Sequence, residues 1–438
     1  MKRRSSIAWG FLALILVGAA LLMMPFARNA AQFGDFRTAL FTSVSAVCVT
    51  GLTVVDIAAE YSRVGQVILM VLVELGCLGL MTFGTFLMIA IGRRLSLARE
   101  FSLMNAYGAE GIQGLKELIC SVVGSMLIIE IAGAAVLQWR MGDWYSAVFY
   151  SIMGFCNAGF SLRPDSLAAF VEDPYIVLTL AVETILGGLG FLVIYNIVTF
   201  HFRRRRSGGK GRLSLHSKVV LRFTIYLLMI GMLLFLLLEW NGALAGMSWL
   251  KKCYVAFYQA VTPRTCGFTL VATDTLHPLT RLVYEVLMFI GGAPGSAAAG
   301  IKVTTFAVLL YTLRAMCRGE RETVMSKRVV AYDTVRESII IFMALVVLVV
   351  LVTAALIFTD GDNQFIRGEY LFFEAVSAIT TTGLSCGDTT RMLSPHGQYI
   401  LELAMFIGRL GALTVVMMIG DREIVRHVRY PSDELVVG

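Results

Sequence analysis

Four stretches of this chain end alike. Ser45–Gly51 (SAVCVTG), Met153–Gly159 (MGFCNAG), Val261–Gly267 (VTPRTCG) and Ser377–Gly383 (SAITTTG) each close on a Gly followed by Leu52, Phe160, Phe268 or Leu384. Ten residues before each Gly stands a Phe (Phe41, Phe149, Phe257, Phe373). Five to seven residues after it stands an Asp (Asp56, Asp165, Asp274, Asp388). The copies recur about every 110 residues, so the chain is a fourfold internal repeat whose units have to pack on one another to bury a common core.

What surrounds each copy is apolar. The chain is 57% hydrophobic and 15% charged, whereas soluble domains carry roughly a quarter charged residues. Apolar runs of about 20 residues, long enough to cross a bilayer, recur throughout. The expected order in every unit is span, short half-helix, glycine loop, returning span. Unit one has Ile7–Met24, Phe36–Thr50 and Tyr61–Ile91, and unit two has Leu115–Trp139, Trp144–Phe155 and Pro174–Phe200. Unit three has Lys218–Leu238, Trp249–Val261 and Leu282–Leu310, and unit four has Ile339–Phe358, Tyr370–Ala378 and Tyr399–Ile419. Lys2-Arg3-Arg4 before the first run resembles a signal peptide, but the run lacks a small-residue cleavage site and is expected to be an uncleaved span.

Most of the 37 Lys and Arg fall on one side of this arrangement, which predicts that both termini are cytoplasmic. The net charge of +7 therefore reflects membrane orientation and contact with membrane lipids rather than nucleic-acid binding. The run Arg203–Arg212 is expected to be an inner-face anchor and linker. Eight cysteines without a CxxC pair and five scattered histidines predict neither a disulfide framework nor a zinc site.

Non-helical backbone at membrane depth must line water or be buried in protein, because unpaired N–H and C=O groups facing lipid cost several kcal/mol each. Four glycine loops around one axis can turn rings of carbonyl oxygens inward and replace the hydration shell of an alkali cation. The half-helices before them would aim their partly negative C-termini at the ion. The four Asp are expected at an outer vestibule, attracting cations, capping the next helix, or both.

Two units depart from the pattern. In unit three, GGAPGSAAAG (Gly291–Gly300) followed by Ile301-Lys302 is too rich in Gly and Pro for a straight helix, and predicts an unwound segment across the pore. In unit four, Arg409 stands within an uncharged helix, where it should face a polar interior. At about 6 Å and an effective dielectric of about 20, its charge would repel a cation by about 3 kcal/mol.

SAVCVTGL, GFCNAGF, VTPRTCGF, SAITTTGL, GGAPGSAAAGIKVTTF and MFIGRLGALT together closely resemble the Trk/Ktr/HKT superfamily of potassium transporters, nearest the Ktr membrane subunit. The resemblance implies an all-α polytopic membrane protein, with four tandem helix–loop–helix repeats arranged pseudo-fourfold around one central ion pore. The expected divisions are 1–99, 100–212, 213–328 and 329–424, with a tail 425–438 at a homodimer interface. It implies a selectivity filter binding K+ through Thr50, Gly51, Asn157, Ala158, Gly159, Thr265, Cys266, Gly267, Thr381, Thr382 and Gly383. Glycine at all four positions favours potassium, since Ser at the first accompanies sodium preference in the family. The gating loop would comprise Gly291, Gly292, Pro294, Gly295, Ser296, Gly300 and Lys302, with Arg409 as the pore barrier. Ala297-Ala298-Ala299 stand where relatives often carry Thr and Gly. No covalent cofactor is implied; K+, or alternatively Na+, is the transported or activating ion. The implied regulator is a separate cytosolic nucleotide-binding (RCK-type) subunit, and the implied location is the cell membrane.

A cation symporter with alternating access is the competing expectation, but such folds pair inverted repeats at a midplane site, whereas these units run in one orientation. An enzyme is not expected, because the spans contain no nucleophile–base pair. Glu74, Glu183, Glu285 and Glu402 recur on the returning helices and are expected to serve packing or pore-side hydrogen bonding.

Overall fold

The computed structural model describes residues 2–79, 112–206, 213–320 and 322–411. Within them the order outgoing helix, short helix, loop, returning helix recurs four times. The outgoing helices are α1 (Lys2–Met23), α4 (Ile112–Met141), α8 (Leu215–Glu239) and α12 (Tyr332–Asp360). The short helices are α2 (Phe36–Val47), α5 (Trp144–Cys156), α9 (Trp249–Val261) and α13 (Gly368–Ile379). The returning helices begin as α3 (Arg63–Leu78), α6 (Pro174–Leu189), α10 (Pro278–Phe289) and α14 (Pro395–Leu410). Their second halves are described as α7 (Phe191–Arg206) and α11 (Val303–Cys317).

Local sequence sets most of these starts. Asp35, Asp143 and Ser248 cap α2, α5 and α9 by accepting from backbone N–H groups of the first turn. Pro174, Pro278 and Pro395 occupy the first turn of their helices, where a missing N–H costs nothing. Solvent-style amphipathicity is absent from the outgoing helices. Their outer faces are apolar and exposed, as at Ile225, Met229, Leu233 and Leu237 or at Met343, Val347, Val350 and Leu351. Cys120–Met141, Leu215–Glu239 and Tyr332–Asp360 are long and apolar enough to cross a bilayer.

The returning helices differ from the expectation of continuous spans. α6 ends at Leu189, Gly190 takes a φ of 83°, and the chain continues into α7 at a bend of 98°. α3 and α14 end in the same way at Gly79 (φ 72°) and Gly411 (φ 85°). The expected continuations to Ile91 and Ile419 lie outside the described residues, as do the tail 425–438 and most of the Arg203–Arg212 linker. The physical reason is the positive φ, which glycine adopts readily and which no α-helix can contain. In unit three the interruption lengthens into residues 290–302. The division expected at 328/329 falls inside a small antiparallel hairpin, β1 (Val324–Met325) with β2 (Arg328–Val329).

Packing closes the units into a ring. Each returning helix packs on the short helix of the next unit: α3 on α5, α6 on α9, α10 on α13, and α14 back on α2. Phe41, Phe149 and Phe373 lie fully buried in this shared core, while Phe257 is half-buried. In units one, two and four the returning helix also packs on its own short helix; no comparable packing joins α9 to α10. Gly76, Gly187 and Gly408 permit that approach, since an added Cβ would collide with the carbonyl oxygens of Val47, Phe155 and Ile379.

Candidate ion pathway

Each short helix runs into its glycine loop at the centre of the ring. Two residues per loop adopt left-handed φ: Val49 (56°) and Gly51 (95°), Asn157 (59°) and Gly159 (67°), Thr265 (68°) and Gly267 (79°), Thr381 (47°) and Gly383 (84°). Placing a left-handed residue on either side of an ordinary one turns successive carbonyls to the same side. A left-handed non-glycine costs on the order of 1–3 kcal/mol, and one stands in every copy. Such strain persists only where the surroundings impose it. Here the imposed contacts include Thr50 N–H to Ser45 O (2.8 Å), Ala158 N–H to Met153 O (2.9 Å) and Thr382 N–H to Ser377 O (2.8 Å). Gly51 N–H adds a bond to Ser45 Oγ (3.0 Å).

The four glycines meet. A Cβ added to Gly51 would collide with Ala158 O, and one on Gly383 with Thr50 O. A Cβ on Gly159 would lie 2.8 Å from Cys266 O, and one on Gly267 2.8 Å from Thr382 O. Each glycine thus abuts the carbonyl just before the next one, in the cyclic order 51, 159, 267, 383. Thr50, Asn157, Ala158, Thr265, Cys266, Thr381 and Thr382 are all buried in this ring. Gly51, Gly159, Gly267 and Gly383 also form the floor of a cavity of about 170 Å³ open to one face.

The walls of that mouth are mixed in charge. Asp56 and Asp388 line it, together with Arg163 and Arg391, whereas Asp165 and Asp274 do not. Asp56 accepts from the N–H groups of Ala58 and Ala59 and caps a one-turn helix. Asp165 pairs with Arg163 (3.4 Å) and Asp388 with Arg391 (3.1 Å). Asp274 sits within a 3-10 turn, where its backbone oxygen accepts from Arg281 (3.2 Å). The four Asp are therefore not an equivalent set.

On the side of the loops away from the mouth lies the segment 290–302. Its neck is a bridge between Ile290 and Ile301, with Gly291 N–H donating to Ile301 O (2.9 Å). Its tip rests on the broken end of α6: Ala293 N–H donates to Gly188 O (2.9 Å), and Phe191 N–H to Gly295 O (3.1 Å). Ser296 Oγ closes the turn by donating to Ala293 O (2.6 Å), just after Pro294. Gly295 (φ 71°) and Gly300 (φ 69°) are left-handed, and Gly292 has no room for a side chain between Ala298 and Gly188 O.

Cationic side chains hold this segment. Arg409 donates through one terminal nitrogen to Ala297 O and through the other to Gly76 O (2.6 Å). Lys302 Nζ donates to Ala298 O (2.6 Å). Arg264 donates to Gly291 O (3.3 Å). The role of Arg264 is not apparent from motif reading, although the signal exists: aligned on the four glycines, its position holds Cys48, Cys156 and Thr380 in the other units. Behind unit two, Ser151 Oγ donates to Glu130 O (2.7 Å) and lies 2.5 Å from Glu183 Oε1, which makes Glu183 a packing and hydrogen-bonding residue.

A family model described as "Cation transport protein" (TrkH) matches residues 9–432. The chain belongs to the TrkH family of cation transport proteins. Among its relatives, the Ktr system potassium uptake protein B of Vibrio alginolyticus is 36% identical, over 98% of this chain and 93% of the relative. The protein of the same name in Bacillus subtilis is 34% identical, over 99% and 96%. The potassium/sodium uptake protein NtpJ of Enterococcus hirae is 32% identical over the same shares. The crystal structure of the potassium transporter TrkH from Vibrio parahaemolyticus superposes with a TM-score of 0.74 at 19% identity, covering 94% of this chain and 84% of that one. TrkH-family membership fixes the fold as that of a polytopic membrane protein, and these relatives are cation transporters, not enzymes.

Proposed function

We propose that this chain is the pore-forming subunit of a potassium uptake system in the cell membrane, with both termini cytoplasmic. The observation that carries the reading is the closed ring of Gly51, Gly159, Gly267 and Gly383, each backed by a neighbour's carbonyl oxygen. Carbonyl dipoles in that arrangement substitute for the hydration shell of an alkali cation. The C-termini of four short helices add partial negative charge at the same place. Thr50, Asn157, Ala158, Thr265, Cys266, Thr381 and Thr382 supply the remaining filter backbone. K+ is the transported ion, and the names of the relatives in Vibrio, Bacillus and Enterococcus favour it, the last with Na+ beside it.

In this reading the segment from Gly291 to Lys302 is the gate and Arg409 its barrier and tether. A separate nucleotide-binding subunit acts on the gate from the cytosol, and the chain works as a homodimer through its tail. Expression in a bacterium lacking its own potassium uptake systems should restore growth on limiting potassium, given the cognate regulator. No rescue by correctly inserted protein with its regulator present would refute the reading.

A further inference from the structure

Unit three lacks a contact that the other three units share. In units one, two and four a glycine of the returning helix seats directly against the last turn of its own short helix: Gly76 on Val47, Gly187 on Phe155, Gly408 on Ile379. In unit three the returning helix stops at Phe289, and Pro263 stands at the position of those three carbonyl-bearing residues. Arg264 occupies the next position, where the other copies place Cys48, Cys156 and Thr380. The residue is 8% exposed, and its side chain reaches across the gap to Gly291 O (3.3 Å), at the neck of the unwound segment. A small pocket lies beside this contact, lined by Arg264, Thr184, Thr224 and Gly292. Two residues on, Cys266 belongs to the glycine ring and touches Thr184 Oγ1 (3.2 Å).

We infer that Arg264 is a latch: a positioning residue that joins the filter loop of unit three to the neck of the gating segment and holds that segment closed. This rests on the gating reading above. Helix-to-helix packing links filter and returning segment rigidly in units one, two and four. A single guanidinium contact replaces it in unit three, so the neck of this segment can leave without pulling its own short helix with it. Moving the neck strips Arg264 of its carbonyl acceptor while its Nε is already buried without a partner. The closed state is therefore favoured by the bond at Gly291, independently of the bond Arg409 makes at Ala297. The two residues hold one loop at two places, Gly291 in its neck and Ala297 within it.

The test is K+ flux through the purified full-length protein in liposomes, without regulator, for wild type, Arg264→Gln, Arg264→Lys, Arg409→Ala and Arg264→Gln/Arg409→Ala. Loss of one charge-assisted hydrogen bond that exists only in the closed state should raise the regulator-free flux on the order of tenfold in Arg264→Gln. Arg264→Lys, which keeps the charge and one donor, should lie between it and wild type. The double variant should show multiplied effects, as for two independent ties on one element. The K+/Na+ ratio should stay at the wild-type value in Arg264→Gln.

Unchanged or reduced flux in well-folded Arg264→Gln would overturn the latch, as would a changed ion ratio with unchanged flux, which is the signature of a filter brace. If the Gln variant does not fold, wild-type flux in Arg264→Lys overturns it on its own. A wild-type protein that carries no K+ with its regulator would instead refute the pore reading, so the two failures are distinguishable.

Discussion

Gly159→Ala puts a methyl group against the backbone of the next unit's glycine loop. The added Cβ would stand 2.8 Å from Cys266 O, 2.9 Å from Gly267 Cα and 3.2 Å from the Gly267 carbonyl carbon. All three are backbone atoms, so no side chain can rotate away. The residue also has a φ of 67°, which costs an L-residue roughly 1–2 kcal/mol. Relieving an overpacked backbone contact costs typically another 1–3 kcal/mol. The sum of about 2–5 kcal/mol is released most readily by shifting Cys266 O off its place beside Gly159. Selectivity between K+ and Na+ needs a difference of only about 1.4 kcal/mol for each factor of ten. The variant should therefore lose at least tenfold in K+/Na+ discrimination, measured from reversal potentials or paired K+ and Na+ fluxes in proteoliposomes. Size-exclusion behaviour in detergent should stay that of wild type, because the ring packing of helices does not pass through this atom. A variant that folds and conducts with wild-type discrimination would refute the assignment of the glycine ring as the filter.

Arg409→Ala removes donors to Ala297 O and Gly76 O together with a positive charge in the pathway; regulator-free K+ flux should rise about tenfold or more, and unchanged flux would remove its role as barrier. At the mouth, Arg163 and Arg391 offset the charges of Asp56 and Asp388, so replacing both arginines by Glu should raise K+ flux severalfold at low ionic strength. That gain should shrink as added salt shortens the Debye length to about 10 Å at 0.1 M, and a salt-independent gain would point to altered mouth shape instead.

Much of this architecture is written in repetition. The four Gly and four Phe mark the short helices to within a few residues, because a buried ring leaves little freedom at either place. Arg409 and the Gly291–Gly300 run stand out as breaks in that repetition. What the pattern hides are features carried by single peptide groups. Gly79, Gly190 and Gly411 sit in apolar runs that look continuous by hydropathy, yet a single positive φ ends each helix. The four Asp look equivalent in spacing, but spacing does not say which way a loop folds. Only Asp56 and Asp388 reach the mouth, while Asp165 turns to Arg163. Arg264 sits inside a motif whose final glycine draws attention away from it. Its partner lies 27 residues on, in a loop whose path no periodicity predicts.

All four returning helices end at an interruption, and among the described residues the one in unit three unwinds over more than ten residues, which creates its own electrostatics. Backbone freed from a helix within a membrane needs new donors for its carbonyls. Three of these carbonyls, at Gly291, Ala297 and Ala298, take theirs from Arg264, Arg409 and Lys302. The contacts that satisfy the loop are thus the contacts that set three basic side chains beside the proposed cation pathway. A loop satisfied by hydroxyl or amide donors would obstruct by bulk alone. On the proposed gating reading this one obstructs by bulk and by charge, and the two are coupled, because displacing the loop separates the carbonyls from the cations that would repel the ion. Freed carbonyls are themselves ligands for an alkali cation. In the proposed mechanism, opening exchanges a guanidinium for a permeating ion as the partner of the same oxygens, so a small bias from the cytosolic side suffices to move the balance.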